Sequence, residues 1–350
     1  MIQTESAGPD RPTKPVGCVG ILKRGIVGLC LALGLLLLIG AAYQSLAIRQ
    51  DLQRYEPRGE LFQVDGHEMH LTCLGEGTPV VILQAGATAE SLWWHWVQQQ
   101  LSPHSMVCAY DRPGMGWSEP ASAPRDPDTI NAELDSLLRQ ADVPGPYIVV
   151  GHSYGAIVTR VFAATYPHQV VGAVLVDSQL VSPKSFANQA EVDQNRTYWD
   201  LVGGVSSALT RFGVTRIASV RSLAAAGYPI GLVPEMAGLQ GRQQAAATYY
   251  AENGPAFVSL QTASASAENL GDLPLVVIWA ASTYAQNSGN PSLRPLTEEL
   301  AGYSSNSTLV IIEGANHGSV LGTEALAQQV SDEILNLVRA ARNDRPAVFE

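Results

Sequence analysis

Basic residues are scarce in this 350-residue chain: Lys and Arg number 21 against 32 Asp and Glu, for a formal charge of −11. No Lys/Arg cluster stands out, and neutralising a phosphate backbone requires basic patches, which argues against a nucleic-acid binder. Cysteine is sparse too, at four residues. Neither C-x-x-C nor H-E-x-x-H occurs, so no metal site is legible from ligand spacing. "HEMH" (His67 to His70) falls on an expected strand, where residues three apart face opposite sides, so its imidazoles do not share an ion. Internal repeats and long polar tracts are missing as well. What is abundant is apolar: 46% of the residues, enough to fill a real core.

Charge vanishes between Gly25 and Ile48, "GIVGLCLALGLLLLIGAAYQSLAI". As a helix this stretch reaches about 36 Å, more than the ~30 Å hydrocarbon core of a bilayer. Arg11, Lys14, Lys23 and Arg24 precede it, and the mixture Arg49, Asp51 and Arg54 follows. The positive-inside rule then gives a cytoplasmic segment over 1–24, a membrane-spanning helix over 25–48, and a remainder outside the cell membrane. A cleaved signal peptide is the alternative, with Gly40-Ala41-Ala42 as a loose small-residue site. The apolar run continues well beyond that site, which favours a retained signal-anchor. Cys73 and Cys108 belong to the outer portion, where an oxidising compartment permits a disulfide.

Downstream, "ELFQVDGHEMHLTCLG" reads as a hairpin turning at Asp65-Gly66. Short continuous apolar runs then alternate with helical patterns. "PVVILQAGA", "MVCAY", "PYIVV", "VVGAVLVD", "LPLVVIWAA" and "STLVII" have the character of buried parallel strands. "ESLWWHWVQQQLS", "TINAELDSLLRQA", Tyr154 to Tyr166 and "TEALAQQVSDEILNLVRAA" repeat their apolar residues at helical spacing or suit a helix. This order predicts an α/β domain over 60–341, a mostly parallel sheet with helices on both faces. Residues 178–270 form a long insertion with helical stretches, expected as a helical cap, since a bare loop of that length is improbable.

The run "PYIVV" leads straight into Gly151-His152-Ser153-Tyr154-Gly155, a G-x-S-x-G between a strand and a helix. A serine on such a turn has a strained backbone that lifts its hydroxyl into a cleft, and small residues two positions either side let the chains pass. The helix N-terminus behind it favours negative charge on a tetrahedral intermediate. A serine hydroxyl is a weak nucleophile without a base and an acid, so the remaining question is where those lie.

With "VILQAGATA", "YDRPGMGWS", "VVGHSYGA", "VVGAVLVD" and "EGANHG" occurring in that order, the chain from about Glu60 to Ala341 resembles the α/β-hydrolase superfamily. The resemblance implies the α/β-hydrolase fold, with Ser153 as nucleophile and His317 of "EGANHG" as base. It places the oxyanion donors at the backbone N–H groups of Ala87 and Tyr154. Where relatives often have His-Gly, this chain has Ala85-Gly86, which leaves open how that loop is held. Asp111-Arg112 lies near the same sheet edge and reads as a loop-bracing ion pair. Many relatives carry the acid after the fifth of the six runs quoted above, but no Asp or Glu occurs here between Trp279 and Glu298. Asp177, ending "VVGAVLVD", occupies the other position that such hydrolases use. The fold also makes the strands holding Cys73 and Cys108 neighbours, so a bridge requires only a Cα separation below about 7 Å.

Together these readings describe a membrane-tethered serine hydrolase acting on a small-molecule or lipid acyl substrate, an ester before an amide, with no metal or organic cofactor. A non-catalytic binding protein of the same fold and a cofactor-independent haloperoxidase-like enzyme remain the alternatives. Serine at the elbow disfavours epoxide hydrolases and haloalkane dehalogenases, which would require aspartate there. Oligomeric state is not legible.

Overall fold

A computed structural model describes residues 18–122, 124–180, 189–254 and 256–343. Most of the expected cytoplasmic segment, residues 1–17, and residues 181–188 of the expected cap lie outside that set.

One eight-stranded sheet organises the chain, in the order β1-β2-β4-β3-β5-β6-β7-β8. Strands β1 (Glu60–Val64) and β2 (His67–Leu74) form the antiparallel hairpin about Asp65-Gly66, and β2 also runs antiparallel to β4. The remaining pairings, among β3 (Val80–Gln84), β4 (Val107–Tyr110), β5 (Tyr147–His152), β6 (Val170–Val176), β7 (Leu275–Ala280) and β8 (Ser307–Ile312), are parallel. Cys73 and Cys108 are register partners across β2 and β4, with a Cα separation of 4.0 Å and bonded sulfurs.

The apolar strand runs are explained by two cores, one on each face of the sheet. Val81, Leu83, Val150, Val174 and Val276 point to one face, and their neighbours Val80, Ile82, Val149, Leu175 and Val277 to the other. Successive residues of the strands β3 to β7 thus alternate between the two cores, which is why these runs are almost wholly apolar. Helices α2 (His95–Leu101), α12 (Ser319–Gly322) and α13 (Glu324–Arg342) cover the first face, and α13 buries Ala327, Val330, Ile334, Leu337 and Val338. Helices α3 (Pro127–Gln140) and α4 (Tyr154–Thr165) cover the second. Helix α3 starts where Asp126 accepts a hydrogen bond from Thr129 N (3.0 Å), with Pro127 in its first turn, and it buries Ile130, Leu134, Leu137 and Leu138.

Between β6 and β7 the insertion contributes α5 (Gln189–Arg211), α6 (Val214–Ala226), α7 (Val233–Gln240), α8 (Gln243–Asn253) and α9 (Phe257–Ser266). Helices α10 (Ala281–Gly289) and α11 (Arg294–Glu299) follow β7. Preceding the sheet, α1 (Cys18–Arg54) is a single 37-residue helix, longer than the uncharged segment at both ends. It is long and apolar enough to cross a membrane, and its apolar side chains stand exposed.

Candidate active site

Parallel strands present their C-terminal ends at one edge of a sheet, and the groups of interest gather there. Ser153 follows β5 directly and precedes α4, with φ 55° and ψ −120°. A non-glycine residue in that region costs on the order of 1–3 kcal/mol and persists only when its surroundings impose it. The two flanking glycines supply that imposition. A Cβ on Gly151 would collide with Gly155 O and Thr159, and one on Gly155 with the carbonyls of Gln84 and Ala85. Only glycine lets β5, α4 and β3 approach so closely, and the approach holds the turn that projects Ser153.

Asp177 follows β6, the parallel neighbour of β5, and is fully buried. Its Oδ1 accepts from Ala280 N (2.9 Å), and its Oδ2 accepts from Thr283 Oγ1 (2.8 Å) and meets His317 Nδ1 at 2.6 Å. The opposite ring nitrogen of His317, Nε2, lies 3.1 Å from Ser153 Oγ. Carboxylate, imidazole and hydroxyl therefore form one continuous line. With Nδ1–H donated to the carboxylate, Nε2 is the lone-pair nitrogen and can accept the serine proton. Ala280, the last residue of β7, contributes its backbone N–H, and Thr283 of α10 its hydroxyl, to the carboxylate of Asp177.

His152 plays a part that the sequence did not reveal. Its buried ring packs on that of His317 with centroids 4.6 Å apart, and its Nε2 donates to His317 O at 3.1 Å. Burial first, and the nearby His317 second, lower its pKa to about 3, so it stays neutral. A neutral ring can stack beneath His317 without repelling an imidazolium formed there. His152, Asp177 and His317 also bring ligand atoms within 4.8 Å of one another, as a metal would need. Two of those nitrogens are already engaged, His317 Nδ1 by Asp177 and His152 Nε2 by a carbonyl, so the arrangement suits proton transfer better than coordination.

The loop of Ala85, Gly86 and Ala87 lies across from Ser153, and Ala87 lines the same cleft of about 570 Å³ as Ser153, Asp177 and His317. What holds this loop is Arg112. Its Nη1 donates to Ala85 O (2.6 Å) and its Nη2 to Gly86 O (2.8 Å). The guanidinium pairs with Glu252 of α8, Nε to Oε1 at 2.6 Å and Nη2 to Oε2 at 3.1 Å. The expected Asp111–Arg112 pair is corrected accordingly, because adjacent residues here point to different partners. Asp111 accepts from Ser91 N (2.6 Å) and Trp117 N (2.9 Å) and pairs with His70 at 2.9 Å. Burial opposes ionisation of Asp111, yet His70 and these donors outweigh it and hold the carboxyl below its ordinary range. His67, the other histidine of "HEMH", faces Glu133 instead, at 4.0 Å.

Tyr154 is the first residue of α4, so its N–H has no intrahelical acceptor. Its ring is buried against the Arg112 guanidinium, 5.3 Å away. Of the two residues expected from sequence as oxyanion donors, Tyr154 directly follows Ser153 at the helix start, and Ala87 lines the same cleft as Ser153.

Comparison with known proteins agrees with this architecture. An AB hydrolase superfamily protein of Gibberella zeae is 36% identical over 153 residues, which is 43% of this chain and 41% of that relative. The alignment spans about two fifths of the relative's length. Among solved structures, the Cif epoxide hydrolase from Acinetobacter nosocomialis superposes with a TM-score of 0.65 at 14% identity, covering 85% of this chain and 96% of that one. A thermophilic esterase from Thermogutta terrifontis gives 0.56 at 16% identity, covering 80% and 100%. Likenesses this distant carry the fold, not the reaction. The model of the alpha/beta hydrolase family matches residues 80–330, from the first parallel strand through His317 and into the last helix, and the chain belongs to that family.

Proposed function

We propose that the chain is a serine hydrolase that cleaves carboxylic esters through an acyl-enzyme on Ser153. The observation that carries this reading is the line Asp177–His317–Ser153, with separations of 2.6 and 3.1 Å. Ser153 Oγ attacks the ester carbonyl carbon while His317 Nε2 takes its proton. The carbonyl oxygen becomes an oxyanion received by the N–H groups of Ala87 and Tyr154. Asp177 stabilises the imidazolium without taking its proton. Collapse of the intermediate expels the alcohol, protonated by His317. Water, deprotonated by the same nitrogen, then attacks the acyl-enzyme and releases the acid.

The missing carboxylate after β7 favours a non-catalytic protein, but Asp177 bonded to His317 supplies the negative charge that such a reading lacks. In this proposal α1 is a retained anchor with its N-terminus in the cytoplasm, and the insertion caps the cleft. The Cys73–Cys108 bond supports an oxidising, extracytoplasmic setting for the domain. A fluorophosphonate probe should label the wild type and leave Ser153→Ala unlabelled, whereas an unlabelled wild type would remove the catalytic reading. Protease added to intact cells should digest the chain from Glu60 onward and leave an anchored N-terminal stub.

A further inference from the structure

The end of α1 does not float free of the domain. Gln44, buried along one side of the helix, donates from Nε2 to Gly241 O at 2.5 Å and accepts from Arg216 Nε at 3.1 Å. Arg216 of α6 also pairs with Asp51 at 2.6 Å. Further back, a Cβ on Gly40 would lie 2.8 Å from Phe212 O, and one on Gly213 3.0 Å from the Tyr43 ring. The corner joining α5 to α6, at Phe212 and Gly213, therefore rests on α1 at the level of Gly40 to Gln44.

That level has a depth. If α1 spans a bilayer from Gly25, about 30 Å of hydrocarbon is used up after some 20 residues at 1.5 Å each, near Gln44 or Ser45. Gly40 then lies about 7 Å inside the outer boundary, and the α5–α6 corner sits at or just below it. The corner is suited to this. Tyr198, Leu201, Val205 and Leu209 recur at helical spacing on one face of α5, and all four are exposed, Leu201 at 67%. Val214 and Ile217, the exposed apolar residues of the first turns of α6, extend the same patch past the corner. Arg211 at the corner and Arg221 further along α6 are exposed as well, with long stems that can carry their charges toward the lipid–water boundary.

We infer that this face of α5 and the start of α6 docks into the outer leaflet beside α1. The site is thereby supplied from the membrane, with an ester whose apolar chain resides in the lipid. The inference rests on the serine-hydrolase and anchor readings above, and its physical link to the cleft is Trp199. Trp199 belongs to α5, one residue from the exposed stripe, and lines the cleft that holds Ser153 and His317. Helix α5, about 10 Å across, thus carries the exposed stripe on one side and part of the cleft lining on another.

The test uses the full chain in phosphatidylcholine vesicles, with Cys18 and Cys30 replaced by Ala and single spin labels introduced by Val205→Cys, Leu209→Cys and Val214→Cys. Leu33→Cys in α1 serves as the lipid reference and Gln329→Cys on α13 as the aqueous one. Labels at 205, 209 and 214 should relax with dissolved oxygen and resist a water-soluble nickel chelate, as at Leu33. Nickel accessibility equal to that at Gln329 would overturn docking. Shielding from both reagents would mean that protein, such as a second copy, covers the face, and would overturn it too. For the substrate class, Leu201→Glu/Val205→Glu/Leu209→Glu should hydrolyse a short water-soluble ester within about twofold of wild type, yet a long-chain ester dissolved in the vesicles about tenfold more slowly or worse. Equal effects on both esters would refute delivery from the membrane. If neither ester is cleaved by wild type, the hydrolase reading fails, while the label depths still decide docking by themselves.

Discussion

Replacing Asp177 by Asn changes one atom of a fully buried group that accepts three hydrogen bonds. An amide has one oxygen and one NH₂, so it cannot satisfy Ala280 N, Thr283 and His317 as the carboxylate does. Turning the NH₂ toward Ala280 N would oppose two buried donors, at a cost of about 1–3 kcal/mol. The NH₂ therefore faces Thr283, whose hydroxyl can rotate to accept, and His317 Nδ1, which can accept only by moving its proton to Nε2. That nitrogen, 3.1 Å from Ser153 Oγ, then carries a hydrogen and can no longer take the serine proton. A serine protease with this substitution loses a factor of about 10⁴ in kcat, equivalent to roughly 5–6 kcal/mol of barrier. We expect a similar loss for Asp177→Asn in hydrolysis of a chromogenic short-chain ester. Fluorophosphonate labelling of Ser153 should slow in parallel, with little change in Tm. A turnover within a few-fold of wild type, in a variant that melts normally, would show that Asp177 does not set the tautomer of His317.

Three further outcomes concern His152, the Arg112–Glu252 pair and the Cys73–Cys108 bond. His152 has a folded pKa of about 3 against an ordinary 6.5, so between those values only the unfolded chain takes up the proton and stability falls as pH drops below 6.5. His152→Gln abolishes that contribution, so the stability gap between wild type and variant should narrow by about 2.5 kcal/mol from pH 7 to 4.5 in urea titrations; an unchanged gap would refute the neutral buried ring. Arg112→Met or Glu252→Gln alone strands a buried charge and should cost about 3–5 kcal/mol, whereas Arg112→Met/Glu252→Met should cost clearly less than the sum of the corresponding singles; additivity would deny the pairing. Cys73→Ser/Cys108→Ser releases a closure spanning 35 positions and should lower unfolding stability by about 2–4 kcal/mol, and an unchanged Tm would mean that the bond is idle.

What was legible in the sequence was what repeats with a short period or sits in a local motif. Strands such as "VVILQ" and "LVVIWA" announce burial on both faces by having no polar alternation, and the hairpin announces itself through Asp65-Gly66. Ser153, His317 and Asp177 were placed by motif and by their order along the chain, and the fold brings their side chains together. Contacts between distant segments were not legible. Arg112 and Glu252 are 140 residues apart, and nothing near either announces the other, so adjacency in sequence suggested Asp111 as the partner instead. The segment after β7 shows its missing carboxylate in the sequence, but nothing there shows that the Thr283 hydroxyl bonds Asp177. His152 falls inside the elbow motif, but its contact with the His317 carbonyl arises only when β5 and the loop after β8 meet. The docking of α1 on the insertion was equally hidden, because Gln44 within an apolar run reads as a tolerated polar residue.

The Arg112–Glu252 pair bears on how such a protein diversifies. Enzymes with a separate lid invite the view that substrate choice and reaction rate are independent parts, so that lids can be exchanged to retarget a constant engine. Here the residue that secures the backbone opposite Ser153 takes its counter-charge from α8, a helix of the insertion between β6 and β7. A foreign insertion lacking an acid at that point would leave a guanidinium sealed away from water with nothing to neutralise it, and would slacken the loop that the guanidinium grips. Changes to the cleft lining from α5 or α10 that leave α8 in place preserve this pair, and a grafted insertion must carry its own acid to the same spot.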